Sequence, residues 1–423
     1  MSPERQGLPS RLFVGPGGLR IVVAENHATP ITAVAVSCLG GVRNERRDLS
    51  GITHLTQRML LKGTRVRSAE ELAEGFEFLG ARYAPFTSKD LVGATLSVLS
   101  RNLARALDLL AECLLQPFFL PEELERERRL VLTEIQRRQD DGFACAMDLS
   151  EAALYRKHPY RLPVAGSQSS VRRLDRERLI RWHGRLYSPD RMVVAVVVDL
   201  RATHMRDLVL EAFASLDRPR PALREADPEE PPTAPRRRTR RRARQHVALA
   251  LSFMGPHFPS SDFLAMDVLS QVLAGMSGRL FTELRDRRGL GYAVGAGLEP
   301  RRDRSHFGVH LGTSLENRQV ALEALLEELR RVREEPVPRQ ELARVRRHLL
   351  GLFSISLQRK AVQAARLAFF ELMGAGHGFL QGYPEAIRRI TPEAMLEAAR
   401  RHLHLEGYAC GQVLPHPPSR RSR

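Results

Sequence analysis

The sequence predicts an α+β protein built from two similar α/β halves, each with an antiparallel sheet and packed helices. Some segments alternate apolar and polar residues, as strands do, and others repeat apolar residues with the period of a helix. The two kinds of segment intermingle along the chain, which is typical of α+β proteins. The predicted strands include residues 19–24, 33–38, 246–253 and 306–312, and the predicted helices include residues 103–115 and 318–333.

An internal repeat supports the two halves. Residues 123–129, Glu-Leu-Glu-Arg-Glu-Arg-Arg, align with residues 341–347, Glu-Leu-Ala-Arg-Val-Arg-Arg, at an offset of 218. Residues 171–179 align with residues 387–395 at an offset of 216. Two copies of one unit explain the nearly equal offsets.

The composition changes between the two predicted domains, which are residues 1–217 and 246–423. Residues 218–245 are rich in proline and end in a run of seven arginines, at positions 236–238, 240–242 and 244. A run of like charges has no apolar face to bury, so residues 218–245 are predicted to be a mobile linker. This arginine bias explains much of the net charge of +17. The alternative is nonspecific binding of nucleic acid or an acidic membrane. Against this alternative, the sequence has no aromatic residues interleaved with the arginines and no nucleic-acid-binding motif.

Composition restricts the class of protein further. A chain of 423 residues with 43% hydrophobic content is long enough for two or more domains with ample cores. It has no apolar stretch that could span a membrane, and its start lacks the apolar core of a signal peptide. The four cysteines have no C-x-x-C spacing and are predicted to be reduced core residues of a cytoplasmic protein. They are Cys38, Cys113, Cys145 and Cys410.

A short helical segment suggests a metal site that is incomplete. Residues 54–58 read His-Leu-Thr-Gln-Arg, where an inverted zinc motif would read H-x-x-E-H. In that motif two imidazoles share one helical face and a carboxylate accepts a proton from the metal-bound water. Only His54 remains, because Gln57 cannot act as a base and Arg58 directs a permanent positive charge at the metal position.

The flanking residues resemble the pitrilysin/insulinase superfamily, which includes the mitochondrial processing peptidases. Residues 50–64 follow the pattern G-x-A-H-x-x-E-H-M-x-F-K-G-T on both sides of the altered pair. Further matches occur in order at Glu127 and Glu134, at His158-Pro159-Tyr160 and at Tyr187-Ser188-Pro189. The resemblance implies that this chain forms half of a clam-shell chamber made of four similar halves.

The resemblance also assigns roles to two glutamates. It implies that Glu134 would be the third zinc ligand and that Glu127 supports it from the same helical face. His54 and Glu134 alone are fewer than the three protein ligands of a catalytic zinc. We therefore expect no metal in this chain, with Glu127 and Glu134 paired instead with arginines such as Arg58. In the repeat, Val345 stands opposite Glu127, so only the first half carries metal-site residues.

Residues 279–292 resemble the superfamily segment S-R-L-F-x-E-L-R-x-x-x-G-L-x-Y. The resemblance implies that Arg285 and Tyr292 line the catalytic chamber opposite the zinc and stabilise charge on the scissile carbonyl. A guanidinium and a phenol suit this role, because both donate hydrogen bonds without changing protonation state. The alternative is a charged surface helix followed by a core tyrosine.

Pro85 is a further departure from the superfamily pattern. The resemblance places it on an edge strand that pairs with the extended peptide substrate. Proline lacks the N–H that such pairing uses, although proline on an edge strand is also a common structural device.

Together these observations predict a non-catalytic subunit of a heteromeric zinc peptidase. The expected partner is a homologous subunit with an intact H-x-x-E-H motif, which would supply the zinc, and a homodimer is a further possibility. The expected substrate is a peptide. The alternatives are a purely structural or binding homologue, a self-sufficient metallopeptidase with an atypical site, and a nucleic-acid-binding protein.

Overall fold

The computed structural model of the protein describes residues 8–275 and 277–416. The strands in this part of the chain belong to two sheets. They are β1 (Ser10–Val14), β2 (Arg20–Glu25), β3 (Ile31–Leu39), β4 (Arg82–Thr87), β5 (Leu91–Leu99), β6 (Met192–Val198), β7 (Arg236–Arg242), β8 (Val247–Met254), β9 (Ala293–Glu299), β10 (His306–Thr313) and β11 (Ala409–Pro415).

The α-helices pack on these sheets or on one another, and a π-helix at Phe281–Arg287 adds a further helical turn. The α-helices are α1 (Ile52–Met59), α2 (Ala69–Phe78), α3 (Leu103–Leu115), α4 (Pro121–Asp140), α5 (Gly142–Leu154), α6 (Gln168–Val171), α7 (Arg176–Leu186), α8 (Ala202–Ala212), α9 (Ser261–Leu273), α10 (Arg318–Glu334), α11 (Arg339–Ser356), α12 (Lys360–Leu372), α13 (Phe379–Arg389) and α14 (Pro392–His402).

The first sheet has the order β1-β2-β6-β3-β5-β4, and only β2 and β6 run parallel to each other. Its central strand β6 reads Met-Val-Val-Ala-Val-Val-Val and is buried along its whole length. Because side chains alternate across a strand, Val194 and Val196 lie in one core with α3 and α8. Val193 and Val197 lie in the other core, against Ala364 and its neighbours on α12.

The second sheet has the order β7-β11-β8-β10-β9, and here β7 and β11 are the parallel pair. Helix α5 covers one face, where Cys145 and Ala146 pack against Ala248 and Val413. The helix lies close to the sheet because β11 has Gly411 at the contact. A Cβ on Gly411 would stand 2.0 Å from the Ala146 carbonyl oxygen.

The predicted two similar halves are confirmed by the topology of the sheets. The order β2-β6-β3-β5-β4 recurs as β7-β11-β8-β10-β9, with the same relative strand directions. Strands β3 and β8 begin at Ile31 and Val247, a separation of 216 residues that matches the sequence repeat. The sheets depart from the predicted antiparallel arrangement at one place in each half, because β2 with β6 and β7 with β11 run parallel.

The chain divides into two compact units. One contains the described residues up to Ile135 together with Pro163–Ala226 and Phe353–Tyr383. The other contains Gln136–Leu162, Asp227–Leu352 and the described residues from Pro384 onward. Each unit holds one sheet, and each also holds one helix from the other half of the sequence. Helix α12 belongs to the first unit, and α5, its counterpart in the repeat, belongs to the second.

The linker prediction is wrong for residues 236–242, which form strand β7. The strand pairs with β11 from Arg236 opposite Ala409 to Arg242 opposite Pro415. Backbone hydrogen bonds, rather than an apolar face, hold these arginines in the sheet. Arg236 also donates to the Leu154 carbonyl oxygen at 2.8 Å, at the end of α5.

The prediction that the four cysteines are core residues without disulfides is confirmed, because all four are free and buried. Burial raises the pKa of Cys38 to about 12, so that thiol stays protonated. Within the described residues, none of the helices is sufficiently long and apolar to cross a membrane.

We predict that deleting Arg236–Arg242 destabilises the second unit, because β11 loses its parallel neighbour. The expected loss is on the order of 5 kcal/mol, at about 1 kcal/mol for each ladder hydrogen bond. Urea unfolding measures it. The matched control replaces only the exposed arginines, as Arg237→Thr, Arg238→Thr and Arg241→Thr, and should stay within about 1.5 kcal/mol of the parent. Equal stability of the deletion and the control would contradict a structural role for β7.

Candidate functional site

The start of helix α1, which carries the altered zinc motif, is held by a glycine and by a buried glutamate. Its first turn follows Gly51, whose φ of 89° is in the left-handed region. A Cβ on Gly51 would stand 2.6 Å from the Ala165 carbonyl oxygen, so only glycine fits there. The Glu45 carboxylate accepts hydrogen bonds from the backbone N–H groups of Gly51 at 2.8 Å and Thr53 at 3.0 Å. Burial raises the pKa of Glu45 to about 7.

The apolar face of α1 determines which side chains point toward α4. Ile52, Leu55 and Met59 are buried in one cluster with Leu124 and Val131 of α4. With that face fixed, the polar residues of α1 face the glutamates of α4. This is the arrangement that a zinc site between the two helices requires.

Glu127 is paired with two cations. Its carboxylate is 1% exposed, and it accepts a hydrogen bond from Arg58 Nε at 2.7 Å. Lys62 Nζ lies 3.0 Å from the other carboxylate oxygen. A buried carboxylate is costly unless it is paired and hydrogen-bonded, and these two cations meet both requirements. The expected pairing of Glu127 with Arg58 is therefore present, and Lys62 is a second partner that the sequence analysis did not identify.

The two retained ligand candidates contact each other. His54 Nε2 lies 3.1 Å from Glu134 Oε2, and the Glu134 side chain is 44% exposed. His54 is thus a partner of Glu134 in addition to the expected arginines.

Gln57 has a structural contact instead of a catalytic one. It is 3% exposed, and its amide N–H donates to the Tyr187 hydroxyl at 2.6 Å. Its amide oxygen is buried without a hydrogen-bond partner among the described residues. Burial raises the pKa of Tyr187 well above its ordinary value, so the phenol stays protonated. The pair links α1 to the residue after α7 and provides no base.

The residues at this site do not fit a catalytic zinc. Such a zinc takes three protein ligands and one water, whereas two of the three ligand positions of the family motif, His54 and Glu134, still carry a ligand residue. The Arg58 guanidinium stands where the second imidazole would be, and it is held by Glu127. Two like charges 4 Å apart repel each other by about 4 kcal/mol at an effective dielectric constant of 20, so Arg58 opposes a divalent cation. Glu127, Arg58 and Lys62 thus form an ion network at this position.

Arg285 lies on the π-helix Phe281–Arg287 and is exposed. Its guanidinium carbon lies 4.6 Å from the centre of the Phe281 ring. This cation–π contact holds the side chain without using its N–H donors. Within the described residues no carboxylate forms an ion pair with Arg285, in contrast to Arg287 and Arg288 on either side of the helix end.

Tyr292 is 50% exposed, so the alternative of a core tyrosine is wrong. Its ring lies over Gly312 of β10, where a Cβ would stand 2.5 Å from a ring carbon. The rings of His246 and Phe143 flank it, with centroids 5.2 and 6.2 Å away. Together with Arg244 these side chains line a cavity of about 270 Å³. Tyr292 thus stands in an aromatic and basic recess that is open to a ligand.

Pro85 lies on β4, at one edge of the first sheet. The Ser88 N–H donates to the Leu91 carbonyl oxygen at 2.8 Å, which fixes the direction of the alternating backbone groups. Phe86 and Ala84 therefore face β5, and Pro85 faces outward. The missing N–H is on the free edge, where an added peptide strand would need it.

A buried ion cluster in the second unit was missed by the sequence analysis. Glu151, Glu299 and His306 form the group of metal-type ligands found in the described part of the chain. Arg301 is fully buried, and its Nη2 donates to both glutamates at 2.8 Å. The guanidinium already occupies the centre of the cluster. No local sequence pattern indicated it, because residues 151, 299 and 306 come from separate elements.

These features agree with comparisons to known proteins. Residues 20–168 match the family described as Insulinase (Peptidase family M16), and residues 173–349 match the Peptidase M16 inactive domain. An uncharacterized zinc protease of Mycobacterium tuberculosis is 30% identical over 433 residues, covering 99% of this chain and 95% of the relative. The uncharacterized zinc protease YmxG of Bacillus subtilis is 28% identical, covering 94% and 96%. The chain belongs to the M16 insulinase family.

Solved structures show the same fold. A peptidase M16 inactive domain from Pseudomonas fluorescens superposes with a TM-score of 0.90 at 23% identity, covering 97% of this chain and 99% of the other. A protease from Helicobacter pylori gives a TM-score of 0.88 at 23% identity, covering 96% and 100%. The predicted pitrilysin/insulinase membership and fold class are therefore confirmed.

We predict that Arg58→Ala destabilises the first unit by about 1–3 kcal/mol, because buried Glu127 loses a charged hydrogen-bond donor. Denaturant unfolding measures the change. Arg126→Ala is the control on the facing helix, since its ion pair with Glu123 involves a 64% exposed arginine and should contribute less than about 1 kcal/mol. Equal effects of the two substitutions would show that the Glu127 network contributes no special stability.

We also predict that Arg58→His creates a zinc site, because it removes the opposing charge and supplies a third ligand beside His54 and Glu134. Elemental analysis after dialysis should give about one zinc per chain. Gln57→Glu alone is the control, since it adds a base but no third ligand, and should give none. A parent protein with stoichiometric zinc, or an Arg58→His variant without it, would contradict the interpretation of the site.

Proposed function

We propose that this chain is a non-catalytic subunit of a heteromeric zinc peptidase. The observation that carries the proposal is the contrast between the two candidate sites. At the first, Glu127 is paired with Arg58 and Lys62, and His54 contacts Glu134. At the second, Arg285 and Tyr292 are exposed, and Arg285 forms no ion pair within the described residues. The first arrangement suits a structural role, and the second suits binding of a ligand from outside the chain.

Arg285 and Tyr292 have the chemistry that binding of a peptide carbonyl requires. A guanidinium and a phenol are permanent hydrogen-bond donors at neutral pH, so they can stabilise negative charge that develops on a carbonyl oxygen. Neither can generate the nucleophile. A reaction that uses them therefore needs a hydroxide or an activated water from elsewhere, and in this proposal it comes from a zinc-binding partner.

The proposed partner is a homologous M16 chain with an intact H-x-x-E-H motif. The relatives whose names describe zinc proteases support this choice, since they are similar to this protein over nearly its whole length. A second copy of this chain would supply no zinc, because it would carry the same Arg58. The proposed substrate is an extended peptide, whose carbonyl groups fit donors of this kind.

Pro85 favours a second candidate, a binding homologue without proteolysis. Its outward position removes one hydrogen-bond donor from the edge of the first sheet, which weakens that edge for peptide pairing. The two candidates differ in whether an assembled complex depends on Arg285 and Tyr292 for turnover. A self-sufficient peptidase is disfavoured by Gln57, which replaces the carboxylate that acts as the base in the H-x-x-E-H motif.

We predict that Arg285→Ala or Tyr292→Phe lowers turnover by the complex with its zinc-bearing partner, without changing assembly or zinc content. Loss of an oxyanion-hole donor costs about 2.7–4 kcal/mol, or about 100- to 1000-fold in rate. Peptide hydrolysis by complexes of matched stoichiometry measures it. Arg287→Ala is the control, because that arginine lies on the same π-helix but pairs with Glu283.

If both variants turn over peptide at the parent rate, the donors take no part in catalysis, and the chain acts as a binding or structural subunit. If no zinc-bearing homologue forms a complex with the chain, the proposal of a heteromeric peptidase is contradicted, and no kinetic comparison is needed.

A further inference from the structure

Strand β7 is an edge strand made almost entirely of arginine. Its sequence is Arg-Arg-Arg-Thr-Arg-Arg-Arg, and it stands at the end of the second sheet with β11 as its neighbour. Arg237, Arg238, Thr239 and Arg241 are exposed. Neither the zinc-motif network nor the recess around Tyr292 includes these residues, so the proposed function leaves them unexplained.

The backbone of β7 has a regular set of outward-facing groups. The Arg236 N–H donates to the Tyr408 carbonyl oxygen, and the His416 N–H donates to the Arg242 carbonyl oxygen. In a parallel pair the bonded residues alternate, so the even-numbered residues of β7 use their backbone groups on β11. Arg237, Thr239 and Arg241 therefore direct their N–H and C=O groups to the open edge. Within the described residues, no other strand pairs with that edge.

In the first sheet, the strand that corresponds to β7 has a further strand paired with its outer edge. Strand β2, the counterpart of β7, begins at Arg20, which is 216 residues before Arg236. It pairs in parallel with β6 on one side, as β7 does with β11. On the other side β1 pairs with it in the antiparallel direction, from Ser10 opposite Ala24 to Val14 opposite Arg20. The fold therefore accommodates an antiparallel strand of five residues at this position, and the second sheet lacks it in the described residues.

The arginines of β7 determine which side chains a strand added at its open edge would need. Arg236 and Arg240 point toward α5, where they contact the Leu154 carbonyl oxygen and the Cys145 sulfur. Arg237 and Arg241 lie on the other face of the strand, with Thr239 between them. Arg237 lies near the Tyr408 phenol, and Arg241 donates to the Pro415 carbonyl oxygen at 3.0 Å. Each guanidinium has five donors, so most of them remain available to carboxylates.

We propose that β7 is a docking edge for an extended acidic segment of a partner protein, which adds to the second sheet as an antiparallel strand. Backbone hydrogen bonds to Arg237, Thr239 and Arg241 supply the pairing, and carboxylates opposite the two arginines supply selectivity. A second copy of β7 is excluded as the occupant, because six arginines on each strand would repel. Nucleic acid would use the charges but not the outward backbone groups, so the open backbone edge favours a peptide.

Labelled synthetic peptides test the strand pairing directly. The probe is a fluorescein-labelled octapeptide of alternating glutamate and threonine, and fluorescence anisotropy with the intact chain measures its binding. In an antiparallel strand with glutamates facing the arginines, the glutamate N–H groups point at β7. N-methylation of the glutamates should therefore weaken binding at least tenfold, whereas N-methylation of the threonines, whose N–H groups point away, should change it less than threefold. A lysine–threonine peptide should not bind.

Variants of the chain separate the charge from the backbone. Arg237→Glu with Arg241→Glu should abolish binding, and Arg330→Glu with Arg347→Glu, an equal charge change at exposed sites in the same unit, should preserve it apart from a small general effect. Thr239→Pro removes one outward N–H without touching the ladder to β11, and should weaken binding at least tenfold. Thr239→Val keeps that N–H and should bind as the parent does. Circular dichroism checks that each variant is folded.

An octamer of deoxythymidine distinguishes strand addition from binding of any polyanion. The proposal is overturned if the oligonucleotide binds more tightly than the glutamate peptide, or if Thr239→Pro and N-methylation of the glutamates leave peptide binding unchanged. It is also overturned if the glutamate peptide does not bind the parent chain, since the arginines would then only protect an edge from aggregation. If Thr239→Pro does not fold, the two N-methylated peptides decide the question with the parent protein.

Discussion

The buried carboxylate of Glu127 is the constraint on which the first unit's polar interior depends. A carboxylate that is 1% exposed must have its charge balanced nearby, because water cannot do so. Arg58 and Lys62 provide that balance from the α1 side. The ion network therefore ties α1 to α4 across the position where a metal would otherwise join them.

The two halves share one topology but carry different polar residues at equivalent positions. Glu127 of α4 corresponds in the repeat to Val345 of α11, which is 2% exposed and packs as an ordinary core residue. The second half thus has no buried carboxylate to balance at that position. Its polar residues are used elsewhere, in the Arg301 cluster, in the recess at Tyr292 and on β7. Helices α5 and α12 are exchanged between the units, so each sheet is completed by a helix from the other half of the sequence.

Much of the fold could be predicted because its signals are local. Strand β3 covers the predicted residues 33–38, and helix α3 has the predicted bounds Leu103–Leu115, since apolar periodicity alone defines such elements. Strand β7 could not be predicted in this way, because a strand with six arginines has neither an apolar face nor alternation. Its structure depends on pairing with β11, which lies far away in the sequence. The same reason hid Lys62, Tyr187 and Arg301, whose roles depend on partners brought close only by folding.

Thermal unfolding of the unmodified chain, in excess zinc and in a chelator, tests most directly whether the ion network has replaced the metal site. A metal that binds only the folded state at 100 times its dissociation constant stabilises a protein by about 2.7 kcal/mol. Arg58 directs its positive charge at the metal position, so the unfolding midpoint should be the same in both solutions. A midpoint that rises with zinc in the parent, and no longer rises in His54→Ala, would contradict this account.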